Sequence, residues 1–370
     1  MAKPIRTLCT AAALIPLTVL AAACSSSGSS SSSSSSPAAA ASSSASGTAI
    51  TETGSTLMFP LFGAWQTAYN TAVPSVMITT AGTGSGTGIA DAGTGTATIG
   101  ASDAYLSSSN MSQYPGLMNI PLTVAALMVN YNVSGVKKPL NLNGTVLAQI
   151  YSGKITTWND PAIAKLNPGV TLPSEKIVTL HRADSSGSTF LFTSYLNAQD
   201  PGGWSATNVG TTVSWPSKAS ALAETGSGGM VTGCGATKGC IAYIGISYLS
   251  KTSTAGLGEA SLANKAGKFT EPTPAAINAA LASFSGSTPS SGSQSLINTS
   301  APTGYPVINY EYAVVKKTQP NASTASNLKA FLTWTLTTGA SSKYLSAVSF
   351  QPLPANVTTV AKNLVSSISG

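Results

Sequence analysis

The chain has 370 residues, which at about 150 residues per domain leaves room for two domains with buried cores and excludes a single small stapled module. Apolar residues make up 42% and charged residues only 8%, against about 25% in a typical domain, so Ser, Thr, Asn and Gly must wet the surface and an acidic or polyampholytic disordered chain is excluded. Formal net charge is +7; setting aside Lys3 and Arg6 leaves 16 cations against 11 acids, with no basic block and no Arg/aromatic interleaving, which speaks against nucleic acid and leaves a weak attraction for anions.

Residues 1–23 read as an export signal: a positive start (Lys3, Arg6), an apolar stretch from Leu8 to Leu20, and Ala21, Ala22 and Ala23 directly before Cys24. A cleavage site ending at Cys resembles the lipobox of bacterial lipoproteins, in which that thiol is lipidated and becomes the new N-terminus. Here Ala21 stands where Leu is usual, and an ordinary secretory signal cut nearby is the alternative. Nothing after Cys24 offers 18 consecutive apolar residues, so lipid on Cys24 is the only membrane anchor expected. From Cys24 to residue 48 the chain is nearly all Ser, Ala and Gly with Pro37, a composition that buries no core and predicts a flexible tether with a reach of roughly 27 Å.

Further along, apolar alternation predicts strands near residues 76–80, 97–101, 122–132, 176–181, 241–246 and 306–315. Helical spacing lies between them. Phe62, Trp65 and Tyr69 share a face; Val146, Leu147, Ile150 and Tyr151 follow a possible Asn143 cap and stop at Gly153. Leu328, Phe331 and Leu332 form a stripe ending at Gly339, and Val357, Val360 and Leu364 repeat the spacing near the C-terminus. Strands alternating with helices predict α/β layers with a largely parallel sheet. Cys9 goes with the signal and Cys24 with the lipid, so Cys234 and Cys240 remain as the pair of the folded part. Outside the cytoplasm they are expected to form a disulfide that closes a short surface turn and contributes about 2 kcal/mol; a two-thiol metal clip without a companion His is the weaker alternative.

Three segments repeat one design, in which a strand runs into a Gly/Ser/Thr loop where a helix begins. They are Thr53-Gly54-Ser55-Thr56-Leu57, the run Gly82 to Gly88, and Arg182 to Thr189. Each is a candidate anion cradle, because a helix start presents unpaired N–H groups and positive partial charge, hydroxyls add donors, and Gly lets the backbone approach. Taken singly, each also reads as an ordinary capped turn. Arg182 closes a strand just before the third loop, where its guanidinium suits a phosphate-like ion, and Asp184 could orient it or simply pair with it.

Asp103, in Ile99-Gly100-Ala101-Ser102-Asp103, closes another strand. It reads either as a turn residue or as a filter: a carboxylate among donors repels a fully ionised oxyanion yet accepts a hydrogen bond from one that keeps a proton. Phosphate keeps a proton at neutral pH and sulfate has none. The one histidine, His181, excludes a His-rich metal site, and no nucleophile elbow, Walker loop or dinucleotide fingerprint is present. An enzymatic alternative is a hydrolase with Ser186 or Ser85 as nucleophile, His181 as base and Asp103 or Asp184 as orienter. A surface adhesin on the same frame is a further alternative.

The ordered segments GSTLMFPLFGAW, GTGSGTGIADA, IGASDAYLS, GKITTWNDPAIAKLNPG, HRADSSGSTFLFTSYL, GGMVTGC, GCIAYIGISYL and YPVINYEYAVV run from Gly54 to Val315 and are the most specific pieces of a likeness that extends over about Gly54 to Ser369. With them the chain resembles the PstS family, the substrate-binding lipoproteins of bacterial high-affinity phosphate ABC transporters, and especially its mycobacterial and actinobacterial members. The resemblance implies an α/β, two-lobed periplasmic-binding-protein fold of type II, with residues 49–124 and 258–370 in one lobe, 125–257 in the other, and crossing strands as the hinge. It implies that inorganic phosphate is held by Thr56, the Leu57 N–H, Ser85 and Asp103 from the first lobe, and by Arg182, Ser186, Gly187 and Ser188 from the second. The place of Ser188 is often Thr and in some relatives Asp, so Asp103 is the sole carboxylate expected at the ligand. The implied partners of this monomer are a membrane permease and its ATPase; no cofactor, metal, catalytic residue or nucleic acid is expected.

Overall fold

The computed structural model describes residues 48–370 apart from 137, 217–219, 285 and 287; the expected signal, Cys24 and the Ser/Ala run before residue 48 lie outside the described residues. Eight strands carry the frame: β1 (Thr48–Gly54), β2 (Val76–Gly82), β3 (Ile99–Ser102), β4 (Leu117–Asn132), β5 (Val178–Arg182), β6 (Ala221–Glu224), β7 (Cys240–Gly245) and β8 (Ile308–Lys316). They lie in the order β2-β1-β3-β8-β4-β7-β5-β6.

The expected largely parallel sheet holds only at its two ends. β1 pairs parallel with β2 and β3, and β5 pairs parallel with β6 and β7. In the middle, β8 runs antiparallel to β3 and β4, and β4 runs antiparallel to β7. The reason is the course of β4: its Leu117–Ala126 part pairs with β8 and its Leu127–Asn132 part with β7, so one strand serves both halves without a helical crossover beside it. Its near-continuous burial explains why apolar content marked it as a strand, while Asn119 and Pro121 hid its first residues. Asn119 is spent internally, accepting from the Leu106 N–H at 3.0 Å, and Pro121 sits where the β8 register shifts, a place that needs no ladder donor.

Helices α1 (Phe59–Ala72), α2 (Ser85–Thr94), α3 (Gly144–Tyr151), α4 (Gly187–Gln199), α5 (Gly226–Ala236), α6 (Ala322–Thr335) and α7 (Ala355–Ser366) cover the sheet. Phe62, Trp65 and Tyr69 of α1 are buried, and the Trp65 indole donates to the Gly339 carbonyl at 2.9 Å. The Asn143 side chain caps α3 by accepting from the Val146 N–H at 2.8 Å. In α7 the buried stripe is Val357, Ala361 and Val365; Val360 and Leu364 are only half-buried, because a short Ala packs closer to the sheet than the spacing of the larger residues suggested.

The Cys234–Cys240 disulfide is present, with Cα atoms 5.4 Å apart. It does not staple a surface turn. Both cysteines are buried, one in α5 and the other opening β7, so the bridge fixes a helix onto the sheet. Among the described residues no helix is long and apolar enough to cross a membrane.

Candidate functional site

Helices α1, α2, α4 and α5 start just beyond the ends of β1, β2, β5 and β6, so their first turns gather at the carboxyl edge of the parallel strands. That edge is where open α/β sheets place ligands, because helix N-termini and strand-end side chains meet there. Asp103 follows β3 into this edge and is buried. Its N–H donates to Ser85 Oγ at 3.2 Å, its Oδ2 accepts from Ser188 Oγ at 3.0 Å, and its Oδ1 accepts from Ser55 Oγ. Asn309 of β8 donates to its carbonyl. Two side chains therefore hold the carboxyl group, and two more hold the backbone that carries it.

Burial pushes the Asp103 carboxyl up from its ordinary range, opposed by the Ser55 and Ser188 hydroxyls, by Glu311 and by the charge of Arg182. Gly187, the first residue of α4, must be small at this point: a Cβ there would lie 2.6 Å from both Asp103 Cβ and Ser85 Oγ. The first turn of α4 thus lies against Asp103, and the Gly187 and Ser188 N–H groups, at the helix start, have no intrahelical partner. Ser186 is the helix cap; its Oγ accepts from the Thr189 N–H at 3.3 Å.

Arg182 ends β5 and is also buried. Its Nε donates to Asp184 Oδ1 at 2.7 Å, its second guanidinium nitrogen bonds Oδ2, and its backbone N–H donates to the Tyr243 hydroxyl at 3.0 Å. Asp184 also accepts from the Gly226 N–H at 3.0 Å, at the start of α5. Burial pushes the Asp184 carboxyl up, but the bonds and charge of Arg182, with the Gly226 N–H, outweigh it and hold it below the usual carboxylate range. Two of the five guanidinium donors are committed to Asp184, which leaves about three for another anion.

Contacts join the two ends of the sheet. Thr56 Oγ1 lies 2.9 Å from Ser227 Oγ and accepts from the Ser227 N–H at 3.1 Å; Ser247 Oγ donates to the Leu57 carbonyl at 2.7 Å; the Gly86 N–H donates to the Ser185 carbonyl at 3.0 Å. Ser85, Asp103, Gly187 and Ser188 are thus in direct contact, Arg182 and Asp184 form the adjoining pair, and Thr56 and Leu57 meet the opposite end through Ser227 and Ser247.

The hydrolase arrangement is not assembled. His181 packs its ring on Trp215, centroids 5.1 Å apart, with burial lowering its pKa, while Ser85 and Ser186 accept bonds from backbone N–H groups. Sequence reasoning placed Ser55 in an anion cradle without pairing it to Asp103, and missed three contributors: Ser227, Asn309 and Glu311. Ser227 had a signal, since Glu224-Thr225-Gly226-Ser227 is a fourth strand-to-helix turn of the same design. Glu311 had another, a carboxylate inside the apolar run of β8.

Comparison with known proteins agrees with this geometry. The family model described as a PBP superfamily domain matches residues 37–338. The chain is 31% identical to the phosphate-binding protein PstS of Methanocaldococcus jannaschii, covering 86% of each chain. It belongs to the PstS family. It is also 29% identical to phosphate-binding protein PstS 3 of Mycobacterium leprae, over 82% of each chain. Solved structures share its fold: the phosphate-binding protein of Stenotrophomonas maltophilia at TM-score 0.67 and 21% identity, covering 85% of this chain and 93% of that one, and the periplasmic phosphate-binding protein PfluDING at 0.64 and 23%, covering 87% and 99%. The curled mixed sheet with β4 shared between halves is accordingly the two-lobed periplasmic-binding-protein fold.

Proposed function

We propose that this PstS-family protein is an extracytoplasmic receptor for inorganic phosphate, not an enzyme, and that it hands the ion to an ABC transporter for import. The observation that carries the reading is the buried Asp103 carboxyl set beside the first N–H groups of α4, the Ser85 and Ser188 hydroxyls, and the guanidinium of Arg182. Such a site strips water from an oxyanion with fixed donors and keeps one acceptor for an ion that brings a proton. Phosphate meets both demands. Sulfate, fully ionised, meets only the first.

In this reading phosphate is bound by Thr56, the Leu57 N–H, Ser85 and Asp103 from a lobe formed by residues 49–124 and 258–370, and by Arg182, Ser186, Gly187 and Ser188 from a lobe formed by 125–257. Asp184 orients Arg182. Because donors of both lobes are satisfied together only when the cleft is shut, binding shifts the hinge toward the closed form. The closed monomer then docks on a membrane permease driven by its ATPase, and lipid on Cys24 keeps it at the outer face of the cell membrane.

Thermal unfolding tests the reading. Phosphate at about 1,000 times its dissociation constant stabilises the protein by about 4 kcal/mol, while sulfate at the same concentration leaves the midpoint in place. Equal stabilisation by both ions refutes it.

A further inference from the structure

A second carboxyl lies behind the first. Glu311, on β8, is fully buried, and neither of its oxygens meets a hydrogen-bond donor. A buried carboxylate without donor or cation is costly enough that the group takes up a proton instead. Its surroundings supply no other remedy. The pairing of Tyr312 with Ser102 places Glu311 beside Asp103 on the neighbouring strand, and the two carboxyl groups are in contact. On the other side Glu311 faces Thr123 of β4, next to the register shift opposite Pro121. Thr123 donates elsewhere, to the Gln351 carbonyl at 2.8 Å. The other titratable groups around the pair are Arg182, whose charge reaches Asp103, and Tyr312 with Tyr105 and Tyr310 near it.

We propose that Glu311 is a positioning residue for ion discrimination: it stays protonated and donates to Asp103, holding that carboxylate as a singly charged acceptor aimed at the ligand. Two carboxyl groups in contact need a proton between them, since both cannot ionise at such range. Its place is Glu311, because Asp103 already has hydroxyl donors on each oxygen and the charge of Arg182, all of which favour its ionised form. Burial and the Asp103 charge hold the Glu311 carboxyl well above its ordinary range. A carboxylate has about four lone-pair sites. Ser55, Ser188 and Glu311 take three, and the last faces the proton carried by phosphate. Loss of the Glu311 proton would set two negative charges against the incoming anion.

The inference rests on the phosphate reading, and its test separates the two. Phosphate affinity of the full chain is measured by calorimetry from neutral to alkaline pH, for the native protein and for Glu311→Gln, whose amide N–H cannot ionise. Once the shared proton leaves, the native protein loses affinity about tenfold per pH unit more steeply than the variant, the ionisation of phosphate itself being common to both. Equal slopes across the pH range in which a buried glutamate is seen to lose its proton overturn the proposal, since a merely structural role would not change the slope.

Carboxyl-carbon NMR of glutamate-labelled native protein gives an answer even if the variant does not fold. One glutamate must stay protonated beyond the titration of Glu52, which burial pushes up to about 8. If none does, the proposal fails. Failure of the phosphate reading looks different, with no phosphate binding at any pH while that glutamate proton persists.

Discussion

At the end of β3 the Asp103 carboxyl is buried among hydroxyls with no cation bonded to it, whereas at the end of β5 the Arg182 guanidinium is buried in the grip of Asp184. Both ends use the same construction, a parallel strand running into a helix start, yet they treat charge in opposite ways. The β5 end holds a cation partly neutralised in advance, with donors to spare, and would draw in any oxyanion. The β3 end holds an acceptor that is unfavourable to every anion except one bringing a proton. In the phosphate reading proposed above, the difference makes attraction and choice separate tasks, carried by separate strands.

The sharpest way to break the comparison is Arg182→Ala. It removes the attracting charge and leaves Asp184 buried without its partner, so affinity falls by on the order of 3 kcal/mol, more than a hundredfold, in calorimetric titration. Phosphate and arsenate, which both carry a proton, suffer alike, because the sorting carboxylate is untouched. A selective loss of one of them would show that the two tasks are not divided between the strands.

A smaller effect is expected from Asp184→Asn. The folded-state pKa of Asp184 is held below its unfolded value, so its contribution to stability is fully present above the ordinary carboxylate range and is lost as pH falls through the folded value. Urea unfolding followed down an acid series therefore shows a fall in the native protein that the Asn variant lacks, by about 1 kcal/mol. An identical acid limb in both proteins would mean that the Arg182–Asp184 pair adds nothing to the fold.

Much of this was legible in the sequence, for physical reasons. Phe62, Trp65 and Tyr69 revealed α1 because only one face of a surface helix needs to be apolar, and Asn143 revealed the start of α3 because a helix start needs an acceptor. The loops around Thr56, Ser85 and Ser186 stood out because Gly, Ser and Thr are what a close anion approach requires. Strand direction was hidden. Burial on both faces makes β4 and β8 read as apolar runs whichever way they point, so the antiparallel middle left no periodic trace. The partners of Asp103 were hidden as well: Ser55, Ser188 and Glu311 come from three distant stretches of chain, and only the register of β8 against β3 brings Glu311 to its side.

The measurement that bears most directly on the account is competition between sulfate and phosphate in the native protein and in Asp103→Asn. An amide can donate to a fully ionised oxyanion where a carboxylate repels it, so the variant should narrow the preference for phosphate over sulfate by at least about tenfold. An unchanged preference would contradict the assignment of ion choice to Asp103.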